Sequence, residues 1–320
     1  MTGSQDVDVF LTGLLFLDLA FTDLEHPPTP GTEVWTGAMG AGPGGIANFA
    51  VALRRLGLRT SLAATFGADF AGDFCWHQLA DVEGVDLSRS RRYEGWPTPV
   101  TVALAYDGDR ALVTHGQKPP ATADELIGEP PDCRAAVVHI GLEPAEWLGR
   151  VTDCLVFADV GWDPSEEWSP ALLEQVSQCH AFMPNAREAM SYTRTGTPHQ
   201  ALAKLADLVP LAVVTLGADG AIAVDGTTGE TASVAGLDVE VVDPTGAGDV
   251  FGASLVAATL AGWPLAERLR FANLAAALSA RHLGGAPAAP RWPDIARWWR
   301  AAPPALRTDY AFLDRVIPER

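Results

Sequence analysis

The stretch Val241-Val242-Asp243-Pro244-Thr245-Gly246-Ala247-Gly248-Asp249-Val250-Phe251-Gly252 organises the reading of this chain. It opens on a β-rich pair, turns through two glycines and delivers one acid into the start of a helix rich in small residues. Such a turn leaves several backbone N–H groups without helical partners and aims them in one direction. With the positive end of the helix dipole they make a pocket for negative charge. Asp249 sits inside that pocket. As an ordinary helix cap the acid would contribute stability alone. In an anion site it has a chemical use. The N–H groups hold a phosphoryl group in flight, and the carboxylate takes the proton of the attacking hydroxyl.

Composition narrows the remaining choices. The 320 residues are 48% hydrophobic, enough for a sizeable core in one large α/β domain or in two domains. The formal net charge is −18 and the pI is near 4.6. Such a surface repels nucleic acid and anionic membrane, so neither is expected as a partner, while a local basic pocket for a nucleotide stays open. Cys75, Cys133, Cys154 and Cys179 are far apart in sequence and form no CxxC. They read as reduced core thiols of a cytoplasmic protein and not as a zinc site or disulfide frame. No signal-like leader and no apolar run long enough to span a membrane is present.

From the N-terminus, Val7 to Leu17 reads as a buried first strand that ends at Asp18. In open parallel α/β sheets ligands meet the C-terminal ends of strands, so Asp18 is a candidate for substrate hydroxyls, and equally for a loop cap. Residues 19–40, with His26-Pro27-Pro28-Thr29-Pro30-Gly31, read as a lid or edge excursion in which Thr32 to Thr36 form a short strand. Gly40, Gly42 and Gly45 match GxGxxG, but no strong strand leads into them and no acid follows at the expected spacing. A helix does follow, closed by Gly57. Asn48 on its first turn can donate and accept hydrogen bonds, as a vicinal diol requires; alone it could equally be a surface amide. Thr101 to Tyr106 and Arg110 to Thr114 form a hairpin around Asp107-Gly108, within a second lid segment at 96–116.

Beyond it, β-rich runs at Ala135–Gly141, Leu155–Val160, His180–Met183 and Leu211–Leu216 alternate with helical patterns. This predicts an α/β fold with a doubly wound, mainly parallel sheet flanked by helices. Asp159 and Asn185 follow strands in it. Asn185 and Glu188 are spaced to converge on one ion or its waters, and are spaced equally well for a capping box. The tryptophans at 292, 298 and 299 read as one helix packed on the body.

The run Asp243 to Asp249 resembles the C-terminal signature of the ribokinase-like (PfkB) carbohydrate kinases, Asp-Thr-x-Gly-Ala-Gly-Asp, with Pro244 where threonine is usual. Gly44-Gly45-x-x-Asn48 resembles the family's N-terminal sugar-binding signature, and Gly67 to Gly72 its Gly-x-Asp-x-x-Gly. Asn185-x-x-Glu188 is similar to its Asn-x-x-Glu motif, and Thr215, Gly217 and Gly220 to its nucleotide loop. The resemblance runs from Val7 to about Ala286 and implies one ribokinase-like domain over 1–320 with a small β lid. It implies transfer of the ATP γ-phosphoryl to a hydroxyl of a sugar or polyol. Asp249 would be the base, with the N–H groups of Gly246, Ala247, Gly248 and Asp249 as anion hole. Asp18, Gly44, Gly45 and Asn48 would hold the substrate. Asn185, Thr215, Gly217, Gly220 and Asn273 would bind ATP; Asn185 and Glu188 would organise Mg2+; Asp243 would shape the turn and a K+ site. The lid is often a homodimer contact in this family. No Walker loop occurs.

The strand end Asp159-Val160-Gly161-Trp162-Asp163 lacks the Asp-x-Asn-x-Arg often seen there, which tilts the expectation to a neutral substrate. Phe16, Phe21 and Trp35 could stack on a base, so a nucleoside kinase is an alternative. A non-catalytic sugar or nucleotide sensor and an NAD-dependent oxidoreductase built on Gly40, Gly42 and Gly45 are alternatives of other classes.

Overall fold

The computed structural model describes residues 7–106, 109–141, 143, 145–163 and 165–318. The Asp107-Gly108 hairpin turn lies outside them. The main sheet uses β1 (Val9–Thr12), β4 (Thr60–Ala63), β9 (Ala135–His139), β10 (Leu155–Asp159), β11 (Ala181–Phe182), β12 (Leu211–Thr215), β13 (Ala221–Asp225) and β14 (Glu230–Val234). Its order is β14-β13-β12-β11-β10-β9-β1-β4. From β4 to β12 all pairings are parallel; β13 and β14 add an antiparallel edge. Side chains alternate across it. Val9 and Leu11 face one layer while Phe10 faces the other, as do Ala135 and Val137 against Ala136 and Val138.

Helices cover both faces. Ahead of the first apolar layer lie α1 (Ile46–Arg55), α2 (Phe70–His77), α7 (Ala247–Leu260) and α8 (Leu265–Ala280). On the second lie α3 (Ala123–Ile127), α4 (Ala171–Val176), α5 (Ala186–Thr193) and α6 (Pro198–Ala206). The predicted doubly wound sheet is therefore present. α9 (Trp292–Ala301) buries Ile295 and Trp299 against Phe271 and Leu274 of α8, so the tryptophan cluster is packing.

A second sheet, β3-β2-β7-β8, forms the lid from β2 (Leu15–Thr22), β3 (Ala38–Gly45), β7 (Val100–Tyr106) and β8 (Asp109–His115). A short pair, β5 (Thr65–Gly67) and β6 (Arg91–Tyr93), completes the strands. The lid corrects several expectations. The first apolar run breaks into β1 and β2 at Gly13, where an added Cβ would meet His139 Cβ and Ile46 Cβ, each at 3.1 Å. Asp18 therefore lies in the middle of a lid strand and not at the end of a body strand. Residues 32–36 form no strand, and the lid begins at Leu15 instead of residue 19. The glycine run itself is a strand, β3, antiparallel to β2. An added Cβ at Gly40 would lie 2.8 Å from Leu283, and one at Gly42 2.6 Å from Pro287. These glycines seat the 283–287 turn, so they make no strand–turn–helix dinucleotide loop.

Candidate active site

The parallel sheet changes direction of winding at β1, with β4 on one side and β9 on the other. Ligands in such sheets bind outside the C-terminal ends of the strands at this switch. His139 closes β9, Asp159 closes β10, Asn185 follows β11 and Thr215 closes β12. α7 starts over the same rim. Its N-cap, Gly246, is left-handed with φ 73°, a conformation that favours glycine. An added Cβ at Gly246 would also come within 3.1 Å of Asn48.

The turn is braced from below. Asp243 is buried; one oxygen accepts from the Thr245 N–H at 2.9 Å and the other from the Gly284 N–H at 2.9 Å. Val241 and Val242 are not a β pair. Both are exposed, and the Val242 N–H donates to the Ala280 carbonyl at 2.8 Å. The Ala247 N–H donates to the Pro244 carbonyl at 3.2 Å, which withdraws it from the expected anion hole. Among the described residues the N–H groups of Gly246, Gly248 and Asp249 have no such acceptor. The space beside Gly248 is open, since an added Cβ there would meet nothing within 4 Å.

Asp249, on the first turn of α7, is gripped from two elements. Asn48 Nδ2 of α1 donates to its Oδ2 at 2.8 Å, and His139 Nε2 lies 3.7 Å from its Oδ1. Asn48 Oδ1 and Thr245 Oγ1 are buried at this turn without a hydrogen-bond partner among the described residues. Buried polar atoms of this kind call for a ligand or water. From the lid, Asp18 stands over the site, and a Cβ on Gly44 would collide with its carboxylate, 1.8 Å from Oδ2. Gly45 has φ 62°, and its Cβ would lie 2.3 Å from the Leu14 carbonyl. Thus Asp18, Gly44, Gly45, Asn48 and Asp249 converge, although Asn48 is 201 residues from Asp249 in sequence.

The electrostatics are those of crowded carboxylates. Withdrawal from water, then the charges of Asp249 and Asp243, push Asp18 up to about 7. Withdrawal from water pushes Asp159 up to about 8, with Glu188 and Asp249 adding to it and His139 opposing it. Glu188 rises to about 7, again chiefly through burial. For His139 burial opposes the charged form, but Asp249, Asp159 and Glu188 outweigh it and raise its pKa. One ligand-capable atom from each of His139, Asp159 and Asp249 lies within 4.8 Å of the others. His139 was not anticipated from sequence; its place as the last residue of a parallel strand was the available signal.

The residues expected to hold the nucleotide lie at the ends of β11 and β12, in the turn before β13 and on α8. Asn185 and Glu188 form a reciprocal capping box on α5, with the Glu188 N–H on Asn185 Oδ1 at 3.0 Å and the Asn185 N–H on Glu188 Oε2 at 2.9 Å. Asn185 bridges Thr215 across the strand ends. Gly217 has φ 62° and Gly220 φ 100°, and a Cβ on Gly220 would lie 2.0 Å from the Val234 carbonyl, so both turns need glycine. Asn273 is buried, not solvent-exposed, and its Nδ2 donates to the carbonyls of Val234 at 3.4 Å and Ala235 at 3.2 Å. Trp162, at the altered end of β10, carries the Arg187 guanidinium 4.2 Å from its ring centroid.

This combination of a doubly wound sheet, a β lid and an acid in a glycine turn is that of a sugar or nucleoside kinase. The chain belongs to the pfkB family of carbohydrate kinases, whose family model matches residues 7–292. It is 24% identical over 307 residues to an ATP-dependent 6-phosphofructokinase of Thermoanaerobacterium thermosaccharolyticum, covering 87% of this chain and 89% of that one. It is 27% identical over 291 residues to a nucleoside kinase of Methanothermobacter thermautotrophicus, covering 85% and 89%. Its fold is similar to that of Arabidopsis thaliana ribokinase complexed with ribose and ATP, with a TM-score of 0.75, 24% identity, and coverage of 91% of this chain and 98% of that one.

Proposed function

We propose that this protein transfers the γ-phosphoryl group of ATP to a hydroxyl of a small neutral sugar, polyol or nucleoside, with Asp249 as general base. The observation that carries the reading is the grip on Asp249 beside three N–H groups that lack acceptors. A carboxylate hydrogen-bonded by Asn48 on one oxygen and faced by His139 on the other is oriented before substrate arrives, which is the condition for efficient proton transfer.

The substrate hydroxyls lie between Asp18 of the lid and the unpartnered Asn48 Oδ1. Asp249 takes the proton of the attacking hydroxyl. The N–H groups of Gly246, Gly248 and Asp249 face the transferring phosphoryl oxygens and stabilise the charge that grows there. ATP lies across Asn185, Thr215, Gly217 and Gly220, with Asn273 shaping the wall behind the adenine. Crowded acids at Asp159, Glu188 and Asp249 fit a divalent cation. Mg2+ there, held through Glu188 and Asn185, supplies charge neutralisation on the phosphates. Asp243 braces the turn; turnover with and without K+ tests any further role as a cation ligand.

The charges near Asp249 and Asp18 favour a neutral substrate. Acids outnumber bases among the groups that act there, and the crowding already pushes Asp18, Asp159 and Glu188 toward their protonated forms, so a further anion is disfavoured. Within the same chemistry one observation favours a nucleoside. Phe16 lies two residues from Asp18 on the same lid face, its ring 2.8 Å from where a Gly45 Cβ would be. The outer strand β8 exposes Leu112 (55%) and Val113 (64%), which suits a second copy of the lid; the mass in solution tests this. The reading places the protein in the cytoplasm, where ATP is available. ATP consumption measured against neutral sugars, sugar acids, sugar phosphates and nucleosides decides the substrate class. Turnover with a neutral sugar or nucleoside supports the reading, and turnover confined to acids or phosphates overturns the neutral assignment.

A further inference from the structure

Two cysteines that are 21 residues apart in sequence meet in space. Cys133 precedes β9 and Cys154 precedes β10, and these strands pair in parallel with Ala135 opposite Leu155. The Leu155 N–H donates to the Arg134 carbonyl at 3.1 Å, which fixes the two entry segments side by side. The Sγ atoms are 3.1 Å apart. A disulfide needs about 2.05 Å, so a movement of roughly 1 Å brings the two sulfurs to bonding distance. Cys133 is buried in the second apolar layer, whereas Cys154 is partly open to solvent.

We propose that Cys133 and Cys154 are a modification site, an oxidisable dithiol that closes to an intrachain disulfide on exposure to hydrogen peroxide. The environment separates this pair from the other two thiols. The contact with Cys154 draws the Cys133 pKa down, with Arg89 adding to this. Burial pushes Cys75 and Cys179 up to about 12, and their nearest polar partners are the carbonyls of Phe16 and Gln175. They stay thiols, because the thiolate is the nucleophile.

The chemistry balances. The Cys133 thiolate attacks one peroxide oxygen and the O–O bond breaks. Hydroxide leaves and is protonated to water, and Cys133 becomes a sulfenic acid. The Cys154 thiol then gives up its proton and attacks the Cys133 sulfur. The S–O bond breaks and a second water departs. Two thiols and one peroxide give one disulfide and two waters.

The bridge lies at the N-terminal ends of strands whose C-terminal ends carry His139 and Asp159, so its formation is independent of the kinase assignment. The test is to treat the reduced full chain with hydrogen peroxide, alkylate it in denaturant and map its peptides without reductant. The inference expects the four thiols to fall to two. It also expects a Cys133–Cys154 peptide pair that dithiothreitol reverses. In Cys154→Ser, Cys133 should instead trap dimedone as a sulfenic acid. Retention of all four thiols, consumption of Cys75 or Cys179 first, or separate oxidation of Cys133 and Cys154 with no linked peptide would overturn it.

Discussion

Asn48 and His139 make Asp249 more than a cap. The Asn48 Nδ2 bond of 2.8 Å fixes one carboxylate oxygen, and His139 faces the other. Asn48→Ala should keep the fold and lower kcat by up to about a hundredfold, since small misplacements of a catalytic group cost that much. Steady-state kinetics with thermal melting alongside checks this; unchanged kcat would show that the grip is dispensable. Gly44→Ala probes the lid side. Its Cβ would sit 1.8 Å from Asp18 Oδ2, so the carboxylate must swing away. The expected result is a raised KM with a smaller change in kcat, because the role proposed for Asp18 is to bind substrate and not to move the proton.

At the scale of elements, α7 works because it can approach α1 closely. A Cβ at Gly252 would lie 2.5 Å from Phe49 Cε1, inside a fully buried ring that packs edge-on to His139 with centroids 5.8 Å apart. Gly252→Ala should therefore destabilise the protein by about 1–3 kcal/mol through overpacking, measured as a lower denaturant midpoint. The parallel strands were legible as short apolar runs and α1 as an apolar stripe, with Gly57, Asp159, Asn185 and Gly262 marking several of the element ends. The boundary between β1 and β2 was not legible. Val7 to Leu17 is one apolar run, and what breaks it is the distant His139 against Gly13. The glycines of β3 misled in the same way: their reason is the 283–287 turn, more than two hundred residues away. Motif spacing reached Asp18, Asn48 and Asp249 but passed over His139, whose role depends on β9 and α7 meeting at one rim. Asn185 and Glu188 form the capping box that one reading of their spacing predicts, and Glu188 lies near the acids Asp159 and Asp249.

For the whole molecule, a site of opposed carboxylates sets a dependence on pH. Asp18 at about 7 and Asp159 at about 8 hold protons in the folded state that the unfolded chain releases near its ordinary carboxylate values. Their contribution to stability is complete at low pH and is lost as pH rises through 7 and 8. Asp8, held low by Arg59, and Asp225, held low mainly by Thr227 and by Arg268 against the effect of burial, act in the opposite sense and lose their contribution only in acid. In magnesium-free buffer the melting temperature should fall as pH is raised from about 5 to about 9. Asp159→Asn should flatten that fall, and a wild-type melting temperature that rises over the range would contradict the assignment. Under the proposed function the same crowded acids would favour a divalent cation at this rim. The most direct test of the central claim is turnover of Asp249→Asn beside wild type on the substrate the panel identifies, with ATP binding measured by calorimetry. The account predicts a loss on the order of a hundredfold or more in kcat with ATP binding nearly intact. Turnover close to wild type in the folded variant would contradict it.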